Sequence, residues 1–328
     1  MTSTAVEIHN TRKEDIEKSG EGKNIHNGYP KKSCPCSTSQ LLLIIIPLSV
    51  IALFAVIFIP VYIKSKDDDD DDDDIIKEEF DEFNENVVNV TYATLTPKNG
   101  YDNILIFLGG ISDVSDKYFS FFKSENTFVP KGTKIYFLSG QPRVMTYMID
   151  RYNYSYPVPG WFNVDSQGQL DPDEGYTEAK KSLNLVLDEI DRIKNVENVQ
   201  YSNIYLSGFS QGGIMTNYLL LNSRNELGGY IAFSGYVFDH DFPSNTLANP
   251  ITETQKSKLD SKKDYHILAT HSFNDEAVPY NSAVPSYSYY YKDYTDFKLL
   301  SFGYLTHVLP EQPIHHIVKR WLEESMGK

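Results

Sequence analysis

Short apolar runs separated by polar segments recur along the chain from about residue 87. Each run is bounded by Gly, Asn, Asp or Pro, which is typical of buried strands that end in turns. The pattern predicts seven strands, which are VVNVTYATL, NILIFLGG, KIYFLSG, NIYLSGFS, GGYIAFSG, YHILATHS and FKLLSFG.

Helical periodicity fills the spaces between several of these runs. Residues 173–194 carry five apolar side chains at helical spacing, and residues 211–221 follow the fourth run directly. Residues 310–328 are amphipathic and predict a closing helix. Strands and helices that alternate at this interval indicate an α/β fold with a mostly parallel central sheet and helices on both faces.

A longer apolar segment precedes this region. Residues 41–63 carry no charge, and a helix of this length spans about 34 Å, enough to cross the hydrocarbon core of a bilayer. A signal peptide is the competing interpretation, but the segment exceeds a usual signal sequence and begins well inside the chain. We predict a disordered polar tail at 1–40, a single transmembrane helix at 41–63, an acidic spacer at 64–86 and a folded domain at 87–328.

The flanks of the predicted span weakly favour one orientation. Lysines are almost balanced on its two sides, while eight consecutive aspartates, residues 67–74, follow it. Glycosylation motifs at Asn89 and Asn153 agree with an exoplasmic domain and a cytosolic N-terminus, whereas the absence of later cysteines favours the opposite. We expect the large domain to be exoplasmic and keep the reverse orientation open.

Charge and cysteine content exclude several classes of protein. The net charge is −15 and no basic patch matches a phosphate backbone, so a nucleic-acid-binding protein is not expected. Cys34 and Cys36 are the two cysteines and both precede the apolar segment, so the folded domain can contain neither a disulfide nor a cysteine zinc site. These thiols are candidates for reversible acylation, or else idle side chains of the tail.

The sequence LSGFSQGG places Ser210 between a predicted strand and a predicted helix. A serine nucleophile at such a turn needs neighbours without side-chain bulk, and Gly208 and Gly212 meet this need. The amino end of the helix also favours the negative charge that develops during acyl transfer. Ser210 is therefore a candidate nucleophile.

A serine hydroxyl needs a base, and the base needs an acid that orients it. Six histidines follow Ser210, and His307 is the one in a loop between the last predicted strand and the last predicted helix. Asp275 lies in the loop after the preceding strand, as the chain order serine, acid, histidine requires. The other later histidines and acids lie in strands, surface loops or the last helix.

These segments resemble the acyl-protein thioesterase, lysophospholipase and carboxylesterase group of α/β-hydrolases, over residues 88–325. The resemblance rests on five segments in the order of that family, which are IFLGGISD, PRVMT followed by GWFNV, GFSQGG, SGYVF and HSFNDEAVP. The chain departs from the family pattern at Gly109, Ser112 and Asn163, and in the spacing before His307.

The resemblance implies an α/β-hydrolase domain in which Ser210 is the nucleophile, Asp275 the orienting acid and His307 the base. It also implies an oxyanion hole formed by the backbone N–H groups of Gln211 and Ile111, each of which can be worth about 3 kcal/mol in such sites. Neither a metal ion nor an organic cofactor is expected for this chemistry.

The predicted activity is hydrolysis of carboxylic esters or thioesters by a membrane-anchored serine hydrolase, through an acyl-enzyme intermediate. An anchor would keep the domain near lipidated proteins or lysophospholipids, which we favour over small esters as substrates. Trp161 and Phe162 are candidates for lining the acyl pocket. Two alternatives stay open: a non-catalytic hydrolase-fold binding module at a membrane surface, and a peptidase on the same fold.

Overall fold

A computed structural model of the chain describes residues 91–124, 127–166, 168–171, 174–238, 253–303, 306–310 and 313–327. The predicted tail, transmembrane helix and acidic spacer lie outside these residues, and so do Cys34, Cys36 and Asn89. Within the described part of the chain, every helix is too short or too polar to cross a bilayer. The span at 41–63 therefore stays a prediction.

Nine strands are formed by the described residues, and seven of them build one sheet. In chain order the strands are β1 (Thr91–Leu95), β2 (Asn103–Leu108), β3 (Thr133–Ser139), β4 (Gln141–Arg143), β5 (Val158–Gly160), β6 (Ile204–Phe209), β7 (Gly229–Phe233), β8 (Ile267–Ser272) and β9 (Phe297–Phe302). The sheet order is β1-β3-β2-β6-β7-β8-β9, in which β1 is antiparallel to β3 and the other neighbours are parallel. Strands β4 and β5 form a separate antiparallel hairpin.

Helices follow most of the strands. The α-helices of the described residues are α1 (Phe119–Lys123), α2 (Thr146–Tyr152), α3 (Gly175–Val196), α4 (Gln211–Asn222), α5 (Glu253–Asp260), α6 (Tyr280–Tyr290) and α7 (Ile314–Ser325). The seven strands of the sheet are the seven predicted from the apolar runs, and α3, α4 and α7 are the three predicted helices. The mostly parallel α/β architecture is therefore confirmed.

Four helices and the β4–β5 hairpin were not predicted. Helix α1 has only five residues, too few to show a helical period. Helix α6 contains Pro285 and a run of tyrosines, so that its apolar and polar positions do not separate onto two faces. Both α1 and α6 bury side chains against the sheet, Phe122 from the first and Ala283 and Tyr287 from the second. Their formation therefore depends on tertiary packing rather than on a local pattern.

Apolar side chains pack on both faces of the sheet. Side chains alternate along β2, so that Ile104 and Ile106 lie on one face while Leu105 and Phe107 lie on the other. The first face is covered by α3, α4 and α6, and the second by α1 and α7. Each of these four side chains is at most 1% exposed, and burial of such a side chain stabilises a fold by about 1.5–3 kcal/mol.

The parallel strands bring their carboxyl ends to one edge of the sheet, which we call the carboxyl edge. Residues 109–113 follow β2 there, Ser210 follows β6, Asp275 follows β8 and His307 follows β9. Ligands of open α/β sheets bind beyond this edge. The fold therefore collects the predicted site residues in the place where a binding site is expected.

Candidate active site

Ser210 occupies the turn between β6 and α4 in a strained backbone conformation. Its φ is 56° and its ψ is −120°, a combination that costs a non-glycine residue on the order of 1–3 kcal/mol. Hydrogen bonds hold the turn, because the Ser210 N–H donates to the Phe233 carbonyl at 2.9 Å and the Ile214 N–H donates to the Ser210 carbonyl at 3.0 Å. The hydroxyl is thereby presented at the carboxyl edge.

The two glycines of the motif allow close backbone packing around this turn. A Cβ atom on Gly208 would lie 2.2 Å from the Gly212 carbonyl oxygen, and a Cβ atom on Gly212 would lie 2.1 Å from the Leu108 carbonyl oxygen. Both distances are far inside van der Waals contact. The G-x-S-x-G spacing is thus a requirement of packing β6 and α4 together and against the end of β2.

The predicted site residues Ser210, His307 and Asp275 are joined in a hydrogen-bonded chain. His307 Nε2 lies 2.8 Å from Ser210 Oγ, and His307 Nδ1 lies 2.8 Å from Asp275 Oδ2. The imidazole packs on the ring of Phe209, with the two ring centroids 4.8 Å apart. The His307 side chain is 21% exposed, so this geometry leaves the histidine accessible from solvent.

Asp275 is held as a buried carboxylate. Its side chain is fully buried, and its Oδ1 accepts the N–H groups of Ala277 at 3.0 Å and Val278 at 2.8 Å. Burial alone would raise the pKa of Asp275, but the hydrogen bond and charge of His307, together with the Val278 N–H, outweigh it and lower the pKa. An ionised Asp275 holds a proton on His307 Nδ1 and leaves Nε2 free to accept the Ser210 proton.

A second histidine, His271, lies on the buried side of Asp275. It is 0% exposed, its Nε2 lies 2.8 Å from the Val278 carbonyl oxygen, and the same nitrogen lies 3.6 Å from Asp275 Oδ2. Burial lowers the pKa of His271 more than the Val278 carbonyl raises it, so the ring is neutral and donates from Nε2. The sequence placed His271 at the end of a strand, and only its spacing of four residues from Asp275 hinted at this contact.

The 109–113 loop lies directly against Ser210, since a Cβ atom on Gly110 would be 3.2 Å from Ser210 Cβ. Four N–H groups of the loop are occupied: Gly109 donates to the Leu138 carbonyl, Gly110 to the Asp113 carboxylate, Ser112 to the Pro159 carbonyl and Asp113 to the Gly110 carbonyl.

Among residues 109–112, all of them described, only the Ile111 N–H has no hydrogen-bond acceptor. The Gln211 N–H opens helix α4, where the first N–H groups have no partner within the helix. The two amides predicted for the oxyanion hole therefore lie on the two segments that meet at Ser210, and neither donates a hydrogen bond within its own loop or helix. Their role in binding an oxyanion stays a prediction.

Trp161 and Phe162, predicted to line the acyl pocket, are buried at 1% and 0% exposure. The side-chain amide of Gln211 accepts the Trp161 N–H at 2.8 Å and donates to the Phe162 carbonyl at 2.6 Å. The Trp161 indole N–H donates to the Gly109 carbonyl at 2.8 Å. Such burial leaves no ring surface for a substrate, and the observed contacts instead connect the start of α4 to the 109–113 loop.

A serine at a strand-to-helix turn, joined to a histidine and an acid from later strands of a mostly parallel sheet, defines the class of α/β-hydrolases. Within that class, the chain belongs to the Phospholipase/Carboxylesterase family, whose sequence profile matches residues 90–323. The family predicted from the motifs is therefore confirmed, and the protein is a serine hydrolase of the carboxylic ester class.

Individual relatives agree with this family. The probable carboxylesterase SOBER1-like of Arabidopsis thaliana is 22% identical over 251 residues, which cover 74% of this chain and 86% of the relative. Acyl-protein thioesterase 1 of Cryptococcus neoformans is 25% identical over 221 residues, covering 66% and 83%. The crystal structure of Zea mays acyl-protein thioesterase 2 matches with a TM-score of 0.53 at 16% identity, over 72% of this chain and 99% of that one. At this identity the structural likeness shows a shared fold.

Proposed function

We propose that the protein hydrolyses acyl esters and thioesters with Ser210 as nucleophile, His307 as base and Asp275 as orienting acid. The observation that carries the proposal is the hydrogen-bonded chain from Ser210 Oγ through the His307 ring to Asp275, with both distances at 2.8 Å. The strained turn, the buried carboxylate and the free amides beside the hydroxyl support the same assignment.

Acylation begins when His307 Nε2 takes the Ser210 hydroxyl proton while Oγ attacks the substrate carbonyl carbon. The carbonyl π electrons move to oxygen, and the N–H groups of Ile111 and Gln211 stabilise the resulting oxyanion. Asp275 stabilises the imidazolium formed on His307. When the tetrahedral intermediate collapses, the bond to the alcohol or thiol breaks, and His307 gives its proton to that leaving group.

Deacylation repeats these steps with water as nucleophile. His307 Nε2 takes a proton from water, the hydroxide oxygen bonds to the acyl carbon, and the same two amides stabilise the oxyanion. The bond to Ser210 Oγ then breaks, and His307 returns the proton to the serine. The products are a carboxylic acid and the free enzyme.

Exposed apolar side chains around the site support an acyl substrate. Val114, Phe273 and Val308 are 55%, 52% and 36% exposed, and each lies within two residues of a residue of the proposed site or of the loop beside it. Apolar groups in such positions suit a hydrocarbon chain. The relatives named above, a probable carboxylesterase and an acyl-protein thioesterase, point to the same two bond types.

We also propose that the domain works at a membrane, tethered by residues 41–63 and facing away from the cytosol. Support comes from the uncharged apolar segment and from the acidic spacer that follows it. Lipidated proteins and lysophospholipids are then the substrates nearest to the domain.

The hydrolase assignment is tested by labelling the full chain with a fluorophosphonate probe and by assaying acyl ester and acyl thioester hydrolysis. We expect wild type to be labelled and active, and Ser210→Ala to be unlabelled and inactive while retaining the wild-type melting temperature. A folded wild-type protein that neither reacts with the probe nor cleaves any ester would instead support a binding module.

Topology is tested at the glycosylation motif of Asn153, which is exposed in the turn that ends α2. If the domain is exoplasmic, full-length protein from a secretory cell should shift on glycosidase treatment, and Asn153→Gln should reduce the shift. A protein without any glycan would favour the cytosolic orientation.

A further inference from the structure

Asp113 is a buried acid that none of the catalytic steps uses. It closes the 109–113 loop and is only 2% exposed. Its Oδ2 accepts the Gly110 N–H at 2.8 Å and the Tyr118 hydroxyl at 2.6 Å, while its Oδ1 accepts the Lys117 ammonium. A carboxylate buried this completely needs such donors, because an unpaired buried charge is strongly unfavourable.

The position of this carboxylate matters because the loop contacts the serine. A Cβ atom on Gly110 would lie 3.0 Å from Asp113 Oδ2 and 3.2 Å from Ser210 Cβ, so one backbone residue separates the carboxylate from the serine. On the other side of Ile111, Ser112 has a φ of 62° and donates its N–H to Pro159 at 2.8 Å. The peptide of Ile111 is thus fixed by a hydrogen bond on either side.

The charges around Asp113 also bear on the oxyanion. A carboxylate beside the site would oppose negative charge developing on the substrate, unless nearby donors compensate it. Lys117 supplies a positive charge, and the Tyr118 phenol stays protonated because burial, and then the charge of Asp113, raise its pKa well above the usual value.

We propose that Asp113 is a positioning residue for the oxyanion hole. Its carboxylate accepts the Gly110 N–H and thereby fixes the neighbouring Ile111 N–H as the donor to the oxyanion. Lys117 compensates the charge of this carboxylate. The proposal rests on the proposed function, because it assigns a role in forming the tetrahedral intermediate.

Three variants of the full chain test the role of the carboxylate. Asp113→Ala removes the acceptor of the Gly110 N–H, and we expect kcat to fall by roughly 10–100-fold with KM changing less than about threefold. Asp113→Asn keeps an oxygen acceptor and should recover part of this loss. Asp116→Ala removes an exposed acid three residues further on and should leave kcat within about twofold of wild type.

A trifluoromethyl ketone inhibitor separates positioning from general loosening of the domain. Ser210 adds to its carbonyl and forms a reversible hemiketal whose oxyanion occupies the oxyanion hole. Its inhibition constant should rise in parallel with the loss of kcat in the Asp113 variants, while the pH profile of kcat keeps its wild-type shape. A merely structural defect would lower the active fraction and leave the inhibition constant of the remaining enzyme unaltered.

Lys117→Ala tests the charge argument. In the wild-type background it leaves the carboxylate less compensated, so kcat should fall several-fold, whereas in the Asp113→Ala background it should have almost no effect. Equal losses in both backgrounds would overturn the role assigned to Lys117.

The proposal for Asp113 fails on its own if wild type hydrolyses esters and Asp113→Ala matches it in kcat and in inhibition constant. If folded wild type is neither labelled nor active, the proposed function fails, and the role of Asp113 fails with it. The two failures are therefore distinguished by the wild-type assay.

Discussion

Two histidine–aspartate pairs lie at opposite ends of the same two strands, β8 and β9. At the amino ends, His266 precedes β8 and Asp296 precedes β9, and Nδ1 of this histidine is hydrogen-bonded to the Asp296 carboxylate. At the carboxyl ends, Asp275 follows β8 and His307 follows β9, again joined through Nδ1. Both pairs consist of one histidine and one aspartate. In the first pair the histidine adjoins β8 and the aspartate β9, whereas in the second pair the aspartate adjoins β8 and the histidine β9.

Their surroundings differ. The side chains of His266 and Asp296 are 48% and 34% exposed, whereas that of Asp275 is fully buried and accepts two backbone N–H groups. His307 has the Ser210 hydroxyl on its second nitrogen. A histidine–aspartate contact thus says little about function, which depends on the burial of the acid and on a third group that only the carboxyl edge supplies.

The largest expected difference between the pairs concerns activity. Asp275→Asn replaces an acceptor by a group that can donate, which favours the wrong tautomer of His307 and no longer stabilises the imidazolium. We expect kcat to fall by roughly 10³–10⁴-fold, measured by ester hydrolysis with the full chain.

The matched control is Asp296→Asn, which makes the same change at the exposed pair and should leave kcat within about twofold. A loss below tenfold in Asp275→Asn would mean that His307 does not depend on this carboxylate.

A second difference lies in the support behind the buried acid. His271→Leu removes the donor to the buried Val278 carbonyl, and leaving such a group unsatisfied costs about 1–3 kcal/mol. We expect a loss of unfolding free energy of this size, measured by urea denaturation, and a fall in kcat smaller than that of Asp275→Asn. The same substitution at exposed His266 should change stability by less than about 0.5 kcal/mol. Equal effects of the two substitutions would show that His271 does not support the acid.

A smaller effect is expected in how the unfolding free energy depends on pH, and the lowered pKa of Asp275 sets its direction. Because the pKa of Asp275 is lowered in the folded protein, its contribution to stability is complete above the unfolded value, about 3.9. It is then lost as the pH falls through the lower folded value. Asp275→Asn should therefore flatten the acid side of the stability curve between pH 5 and pH 2.

This effect is read from urea unfolding at several pH values, after the stability difference between variant and wild type at pH 7 is subtracted. Curves that remain parallel down to pH 2 would contradict the lowered pKa.

The difference between the two pairs also marks what the sequence could predict. The seven strands, Ser210 in its glycine-flanked turn and the loops of Asp275 and His307 follow from local patterns and from the order of strands along the chain. The oxyanion amides came from the family resemblance. Each of these features depends on a few consecutive residues, so it can be recognised in the sequence without knowing the fold.

Contacts between distant segments could not be predicted in this way. The hydrogen bond from the Trp161 N–H to the Gln211 side chain joins residues that are 50 positions apart. The sequence around Trp161 and Phe162 does not indicate that both rings are buried. The roles of His271 and Asp113 likewise depend on which carbonyl or amide the fold brings beside them. Burial and hydrogen-bond partners are set by tertiary packing, and they are what separates the two histidine–aspartate pairs.

The smallest expected effect is the coupling between His266 and Asp296. Both side chains are substantially exposed, so water and salt screen their attraction, and holding them together costs side-chain entropy. A double-mutant cycle with His266→Ala and Asp296→Ala should give a coupling free energy below about 0.5 kcal/mol, decreasing further with added salt. A coupling above about 1.5 kcal/mol that persists in high salt would show that exposure does not weaken this pair. Burial of the acid would then no longer explain why the His266–Asp296 and His307–Asp275 pairs differ in function.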